Sequence, residues 1–207
     1  MTYAIKAPAR YAQGAGELAN LGRSAKKLGD KFLIICSDNN RSRFGAQVEE
    51  SLTAQEKQVV FTTFHGEATK EEVFAKMDEC KAQGCDVVVG MGGGKALDTA
   101  KAVAENLGLP CVILPTVASN DAPCSGVAVL YNDAGVVIKA VLMRRNPDLV
   151  LVDTNIIANA PKRLFAAGLG DALSTWFEAR ACHKSGARTM ARGNVSKTDL
   201  MMARLCY

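Results

Sequence analysis

The chain has 207 residues, of which 48% are hydrophobic, 22% charged and 6% aromatic, with 18 glycines and 6 prolines. This balance is typical of a soluble globular protein and excludes disordered, fibrous and low-complexity classes. The 25 lysines and arginines against 21 acidic residues leave a formal charge of +4, too small and too evenly spread to favour a nucleic-acid partner. At roughly 150 residues per domain, the length allows one or two domains.

The 7 cysteines include no CxxC pair, and their odd number argues against a disulfide framework or a structural zinc finger. The first residues lack the basic and apolar pattern of a signal peptide. No apolar stretch reaches the roughly 18 residues that span a bilayer. We therefore expect a soluble cytoplasmic protein that has no membrane partner.

Short apolar runs rich in branched residues alternate with helical patterns over the first half of the chain. Strands are predicted at 32–36, 59–64, 86–91 and 111–114, and helices at 44–54, 69–83 and 95–107. Thr69 and Glu72 have the spacing of a capping box, and Gly84 and Gly108 stand where the second and third helices should end. These βα units in series predict a parallel sheet covered on both faces, with ligands at the carboxyl ends of its strands.

The pattern changes after Thr116. A small polar loop precedes a predicted β-hairpin of strands 127–131 and 138–143, then a strand at 149–152, and from Pro161 onward nearly every residue is compatible with a helix. The fold class is therefore α/β, with a parallel-sheet domain at residues 1–160 followed by the beginning of an all-α domain at 161–207. The final amphipathic pattern, at 199–207, has no terminating Gly, Asn or Pro, so we expect the chain to be cut short.

Three consecutive glycines at 92–94 connect a predicted strand to a helix and are followed by Lys95. Glycines let backbone N–H groups approach a phosphate closely, and the helix N-terminus adds partial positive charge. Lys95 would oppose that dipole unless an anion is bound there. The turn thus predicts a phosphate site, the alternative being a tight turn with a solvated lysine. It is neither a GxGxxG fingerprint nor a P-loop, which needs Ser or Thr at Ala96.

A second polar segment, residues 115–125, directly follows a buried strand and so should lie at a ligand-binding edge of the sheet. Its neutral hydroxyls, which suit ribose or phosphate, belong to Thr116, Ser119 and Ser125. Asp121 offers a carboxylate to the hydroxyls of a polyol. A plain polar loop with Asx turns is the alternative. Farther along, Asp171 by itself would be interpreted as a helix N-cap or first-turn acid.

Together, these segments resemble the iron-containing alcohol dehydrogenase family, which has the dehydroquinate synthase-like fold, and in particular its glycerol-oxidising members. The segments that carry the resemblance are GGGKALDTAK at 92–101, PTVASNDAPCS at 115–125 and AGLGDALSTWFEAR at 167–180. The resemblance extends along the whole chain. It implies an N-terminal dinucleotide-binding α/β domain, an all-helical C-terminal domain, and a cleft between them that holds NAD and a divalent metal.

The resemblance also implies roles for individual residues. The pyrophosphate-binding turn corresponds to Gly93, Gly94, Lys95 and Asp98, and the nicotinamide-side contacts correspond to Thr116, Ser119, Ser125, Val127 and Tyr131. Asp121 matches the acid that contacts glycerol, and is therefore the expected catalytic and substrate-binding residue. Asp171 matches a metal ligand, which replaces its interpretation as a cap. Where relatives carry an acid for the adenine ribose, this chain has Ser37 followed by Asp38, so a shifted ribose contact and a weaker selection of NAD over NADP are expected.

The implied activity is NAD-dependent oxidation of glycerol to dihydroxyacetone, in which Zn²⁺ or another divalent metal such as Fe²⁺ polarises the alkoxide during hydride transfer. The other metal ligands of the family are two histidines that correspond to positions beyond residue 207. His183 lies about 18 Å along a helix from Asp171, at roughly 1.5 Å per residue, so the two cannot share a metal. His65 belongs to another part of the α/β domain. The truncated chain is therefore expected to be inactive.

The sequence leaves two other functions open. The first is a non-catalytic nucleotide-binding fragment, in which the glycine turn holds a phosphate but no hydride transfer follows. The second is a phosphotransferase, which Ala96 disfavours because no hydroxyl stands there for magnesium. Glycerol is the expected small-molecule partner, and full-length members of the family are expected to form homo-oligomers.

Overall fold

A computed structural model describes residues 2–207. Its strands are β1 (Tyr11–Gly14), β2 (Lys31–Cys36), β3 (Gln58–Thr63), β4 (Val87–Gly92), β5 (Cys111–Pro115), β6 (Val127–Tyr131), β7 (Val137–Leu142) and β8 (Leu149–Asp153). Its helices are α1 (Leu21–Ala25), α2 (Asp38–Thr53), α3 (Lys70–Gln83), α4 (Gly94–Leu107), α5 (Thr154–Ala158), α6 (Lys162–Ser185) and α7 (Lys197–Arg204), with a 3₁₀ turn at Glu17–Asn20.

Six strands form one parallel sheet in the order β1, β8, β5, β4, β2, β3, and β6 pairs with β7 in an antiparallel hairpin. The predicted α/β class, the parallel sheet and the hairpin are confirmed. Strand β1 was not predicted, because its sequence, Tyr-Ala-Gln-Gly, contains no branched residue and its side chains are only half-buried at best. Within the described residues, it is a four-residue edge strand that pairs with β8 alone.

Alternate residues of the central strands face two separate cores. In β2, Phe32 and Ile34 pack with the core that includes Leu52 of α2, whereas Leu33 and Ile35 pack with the core that includes Val103 of α4. Successive side chains of a strand point to opposite faces, so a strand covered on both sides is apolar at every position. This burial explains why the continuous apolar runs predicted these strands correctly.

Helix α2 begins at Asp38, six residues earlier than predicted, because the Ser37 hydroxyl caps it by accepting from the N–H of Asn40. Thr69 caps α3 as predicted, accepting from the Glu72 N–H at 3.1 Å. In a complete capping box, the Glu72 carboxylate would accept from the Thr69 N–H. Here it accepts from the backbone N–H of His65 instead. Gly84 and Gly108 end α3 and α4 with φ values of 64° and 70°, as predicted.

The long helix α6 runs from Lys162 to Ser185 and begins just after Pro161. Asp171 therefore lies in the third turn of this helix, and its interpretation as an N-cap or first-turn acid is wrong. Gly168 brings α6 against the loop that follows β5, because a Cβ there would lie 2.2 Å from the Ala118 carbonyl oxygen. Within residues 2–207, no helix is long and apolar enough to cross a membrane. We propose that the domain boundary lies near residue 160, between β8 and α6.

Candidate nucleotide-binding site

The glycine turn joins the carboxyl end of β4 to the N-terminus of α4. Gly93 is the N-cap residue, and because glycine has no side chain, it provides no capping hydrogen bond. The first N–H groups of a helix have no acceptor within the helix, so this terminus is open to an anion. The neighbouring strand holds the turn, since the Thr116 N–H donates to the Gly92 carbonyl at 3.0 Å.

A cavity of about 510 Å³ lies beside this turn. Eight of the twelve residues predicted from the sequence line it: Gly94, Lys95, Asp98, Asp121, Ser125, Val127, Tyr131 and Asp171. These residues come from α4, from the loop after β5, from the hairpin strand β6 and from α6. The fold thus brings together positions that are up to 77 residues apart in sequence, counted from Gly94 to Asp171.

The other four predicted residues lie outside the cavity lining. Gly93 adjoins it as the N-cap of α4, and Thr116 is buried at the end of β5. Ser119 lies on the loop where α6 makes its close approach at Gly168. Asp38 is in the first turn of α2, where its carboxylate accepts from the Thr63 hydroxyl at 2.8 Å. Its ribose contact stays a prediction.

The sequence interpretation missed Lys101, a lysine that is fully buried within α4. Its ammonium lies 2.8 Å from Oδ1 of Asp98, one helical turn earlier. The other oxygen of Asp98 accepts from the Val129 N–H at 3.0 Å. Since both oxygens of Asp98 contact protein groups, these contacts favour a role for Asp98 in shaping the site. The available signal was a lysine three residues after an aspartate, in an otherwise apolar helical stretch.

Lys101 also fastens the polar loop to the sheet. Its ammonium donates to the Ala122 carbonyl at 2.9 Å, to the Ser125 hydroxyl at 3.2 Å and to the Val127 carbonyl. One buried cation therefore holds α4, the loop that carries Asp121, and the first residue of β6 in a fixed arrangement. A buried ammonium requires this many acceptors, because leaving its protons unpaired would cost free energy.

Lys95 reaches from the first turn of α4 over the hairpin. Its Nζ lies 2.5 Å from Oε2 of Glu67 and 5.0 Å from the centre of the Tyr131 ring. Its side chain remains 46% exposed, so the charge is available to a ligand in the cavity. The predicted phosphate contact at Lys95 is compatible with this position, although a carboxylate already occupies one side of the ammonium.

Asp121 and Asp171 face each other across the loop and α6. The carboxylate of Asp171 accepts from the Asp121 N–H at 3.0 Å. Partial desolvation by the surrounding loop, and then the negative charge of Asp171, raise the pKa of the Asp121 carboxyl. Asp121 also lines a second cavity of about 740 Å³, whose other walls include the apolar side chains of Val117, Ile157 and Phe165. Asp121 therefore borders both cavities.

We expect Asp171→Asn to lower the pKa of Asp121, because the substitution removes a negative charge and keeps an oxygen that can accept from the Asp121 N–H. A raised acid pKa means that the folded chain binds the proton more tightly than the unfolded chain, so stability falls as pH rises toward the folded pKa. Asp171→Asn should weaken this dependence. Carboxyl NMR titration of Asp121 checks the shift, and an unchanged or higher pKa would contradict it.

The residues present do not complete a metal site. Across the described range, 2–207, no three His, Cys, Asp or Glu side chains lie close enough to hold a metal ion together. The Asp171 carboxylate has Asp121 beside it but no histidine. His183 lies in the last turn of α6, and the ring of His65 contacts the Glu72 carboxylate at 2.9 Å. A catalytic zinc normally takes three protein ligands, so this donor set does not fit one.

The six-stranded parallel sheet, with an open helix N-terminus at the carboxyl end of a central strand, has the architecture of α/β nucleotide-binding proteins. The chain belongs to the iron-containing alcohol dehydrogenase family, whose model matches residues 8–154. The resemblance inferred from the three sequence segments is therefore confirmed.

The relatives include proteins named for glycerol. A glycerol dehydrogenase of Citrobacter freundii is 44% identical over 207 residues, covering 100% of this chain and 57% of the relative. A glycolaldehyde reductase of Halobacterium salinarum is 38% identical, also over 100% of this chain and 57% of the relative. The crystal structure of a glycerol dehydrogenase from Schizosaccharomyces pombe superposes with a TM-score of 0.93 at 32% identity, covering 100% of this chain and 52% of that one. The chain thus spans just over half the length of these relatives.

Proposed function

We propose that this chain binds NAD beside the glycine turn and that the protein is an NAD-dependent dehydrogenase that oxidises glycerol to dihydroxyacetone. The observation that carries the proposal is the single cavity lined by eight of the residues expected to contact cofactor, substrate or metal. The names of relatives at 43–44% identity support glycerol as the substrate. We also propose that the protein forms a homo-oligomer and is located in the cytoplasm. The free thiols of all 7 cysteines, each within the described range, are compatible with a reducing compartment.

The residues around the cavity fit a dinucleotide. The open N-terminus of α4 and the ammonium of Lys95 would hold the pyrophosphate, because helix N–H groups and a cation both stabilise phosphate charge. Ser125 and Tyr131 offer hydroxyls for the nicotinamide side, and Val127 offers an apolar contact. When bound, NAD supplies the hydride acceptor. The protein residues bind it, orient it and fix the loop that carries Asp121.

Asp121 is the residue we propose for substrate binding. A carboxylate has two oxygens, and each can accept a hydrogen bond from one of the two adjacent hydroxyls of a vicinal diol. Lys101 fixes the loop that presents it, through the Ala122 carbonyl. The glycolaldehyde reductase among the relatives also takes its name from a small hydroxylated compound. Glycerol and other short polyols are therefore the substrate class to test first.

A divalent metal, Zn²⁺ or Fe²⁺, is the remaining expected cofactor, with Asp171 as one ligand. Because the donor set around Asp171 does not fit such an ion, no step of the chemistry proposed here depends on it. This disagreement favours a second candidate function for the 207-residue chain, namely NAD binding without turnover. The two candidates differ in one property, since both bind NADH but only the dehydrogenase oxidises glycerol.

We expect the purified 207-residue chain to bind NADH and to show no zinc-stimulated glycerol oxidation. Asp171, with Asp121 beside it but no histidine, lacks the three protein ligands of a catalytic zinc and should hold the ion only weakly. NADH fluorescence titration measures binding, and absorbance of NADH formed from glycerol and NAD, with and without zinc, measures turnover. The Citrobacter freundii glycerol dehydrogenase serves as the positive control. Zinc-stimulated turnover by the chain alone would show that residues considered structural here complete the site.

A further inference from the structure

Glu67 holds the lysine that is expected to meet the pyrophosphate. It lies in the segment between β3 and α3, where its Oε2 is 2.5 Å from Nζ of Lys95. Its Oε1 accepts from the N–H of Ala68 at 3.1 Å. One carboxylate thus contacts both its own loop and the first turn of α4. The sequence interpretation assigned no role to this residue.

The pair lies at the edge of the cavity and is held in place by the hairpin. Lys95 and Tyr131 both line the cavity, and the Lys95 ammonium lies 5.0 Å from the centre of the Tyr131 ring. The N–H of Tyr131 donates to the carbonyl of Ala68 at 2.9 Å, which fixes the Glu67 loop to β6. The side chains of Lys95 and Glu67 are 46% and 25% exposed, so the pair can separate without leaving an unsolvated charge.

We propose that Glu67 competes with the phosphates of the dinucleotide for Lys95 and thereby speeds release of the cofactor. This inference rests on the proposed function. A phosphate that approaches Lys95 brings negative charge toward the Glu67 carboxylate, and like charges at this range repel. Lys95 must therefore loosen its pair with Glu67, or hold both anions at once, when the cofactor binds. Either event lowers the affinity below the value that Lys95 would give alone.

Glu67→Gln separates the effect of the negative charge from the effect of the local structure. Glutamine keeps an oxygen that can accept from the Ala68 N–H, so the loop retains its contact, while the competing charge is removed. We expect about threefold tighter NADH binding at low salt, a gain typical of a partly exposed ion pair, with the change mainly in a slower dissociation rate. The gain should shrink in 1 M salt, where the Debye length is only about 3 Å. Glu71→Gln, at an exposed acid in the first turn of α3, is the matched control and should leave the affinity unchanged.

Stopped-flow fluorescence with NADH measures both rates, and the same substitution in a Lys95→Ala background tests the mechanism. There only the direct repulsion between the Glu67 carboxylate and the phosphate remains, and because no ammonium is left to compete for, we expect the gain from Glu67→Gln to fall below about half of its original size. Equal or weaker binding in Glu67→Gln, or the same gain in both backgrounds, would overturn the role of Glu67. If the unsubstituted chain binds no NADH, the proposed function fails together with this inference. If it binds NADH but Glu67→Gln binds no more tightly, only this inference fails.

Discussion

We expect replacement of Gly94 with valine to abolish detectable NADH binding and to leave the secondary structure of the chain intact. Gly94 is the first residue of α4 and lines the cavity. A Cβ there would lie 3.2 Å from Nδ2 of Asn120, whose exposed side chain can move aside. The branched methyl groups of valine would extend farther, into the space where phosphate must approach the helix N–H groups. Valine in the first turn of a helix costs less than about 1 kcal/mol, so the fold is retained.

NADH fluorescence titration and far-UV circular dichroism test this prediction together. Gly94→Ala is the matched control, since its single methyl group would lie 3.2 Å from Nδ2 of Asn120 and 3.8 Å from Cβ of Ala122, and it should reduce the affinity less than valine does. A folded Gly94→Val protein with unchanged NADH affinity would contradict the assignment of the phosphate site to this turn.

We expect replacement of Lys101 with methionine to destabilise the chain by about 3–5 kcal/mol, the usual cost of removing one member of a buried ion pair. The Lys101 side chain is 0% exposed and that of Asp98 is 9% exposed, so the remaining carboxylate would keep its charge away from water. The carbonyls of Ala122 and Val127 would lose a donor as well. Methionine preserves the length of the apolar stem and therefore isolates the loss of the ammonium.

Urea unfolding measures the effect, and a second substitution tests its cause. Asp98→Asn combined with Lys101→Met should recover part of the lost stability, because asparagine removes the uncompensated charge and keeps an acceptor for the Val129 N–H. Loss of less than 1 kcal/mol in Lys101→Met, or no recovery in the double variant, would show that the pair does not organise the site. The single variant should also bind NADH more weakly, since the loop of Asp121 would lose its attachment.

Local patterns predicted the central sheet because each inner strand must be apolar along its whole length. β2, β4 and β5 are buried on both faces, so their runs of branched residues carry the signal without reference to distant residues. The glycines that end α3 and α4 could also be predicted from the sequence, because the residue that ends a helix often adopts a left-handed backbone conformation that favours glycine. Strand β1 carried no such signal, because pairing with β8 rather than its own composition makes it a strand.

The candidate site could be predicted in part for a related reason. Residues of the glycine turn and the polar loop follow buried strands, so the parallel sheet itself places them at one edge. The pairs that complete the surroundings are long-range contacts, such as that between Lys95 and Glu67, separated by 28 residues, and that between Asp121 and Asp171, separated by 50 residues. Periodicity reports only neighbours along the chain, so neither pair could be inferred from it. Lys101 was missed because a lysine in a helix is usually exposed.

Hydrogen–deuterium exchange of the 207-residue chain with and without NADH tests the location of the cofactor most directly. The amides at the start of α4 have no acceptor within the helix, so they should exchange quickly in the free chain and slowly when phosphate accepts from them. We predict protection by NADH at residues 93–96 and in the loop and strand at 119–131, with little change in α3. Protection confined to other segments, or none at saturating NADH, would contradict the proposed binding site.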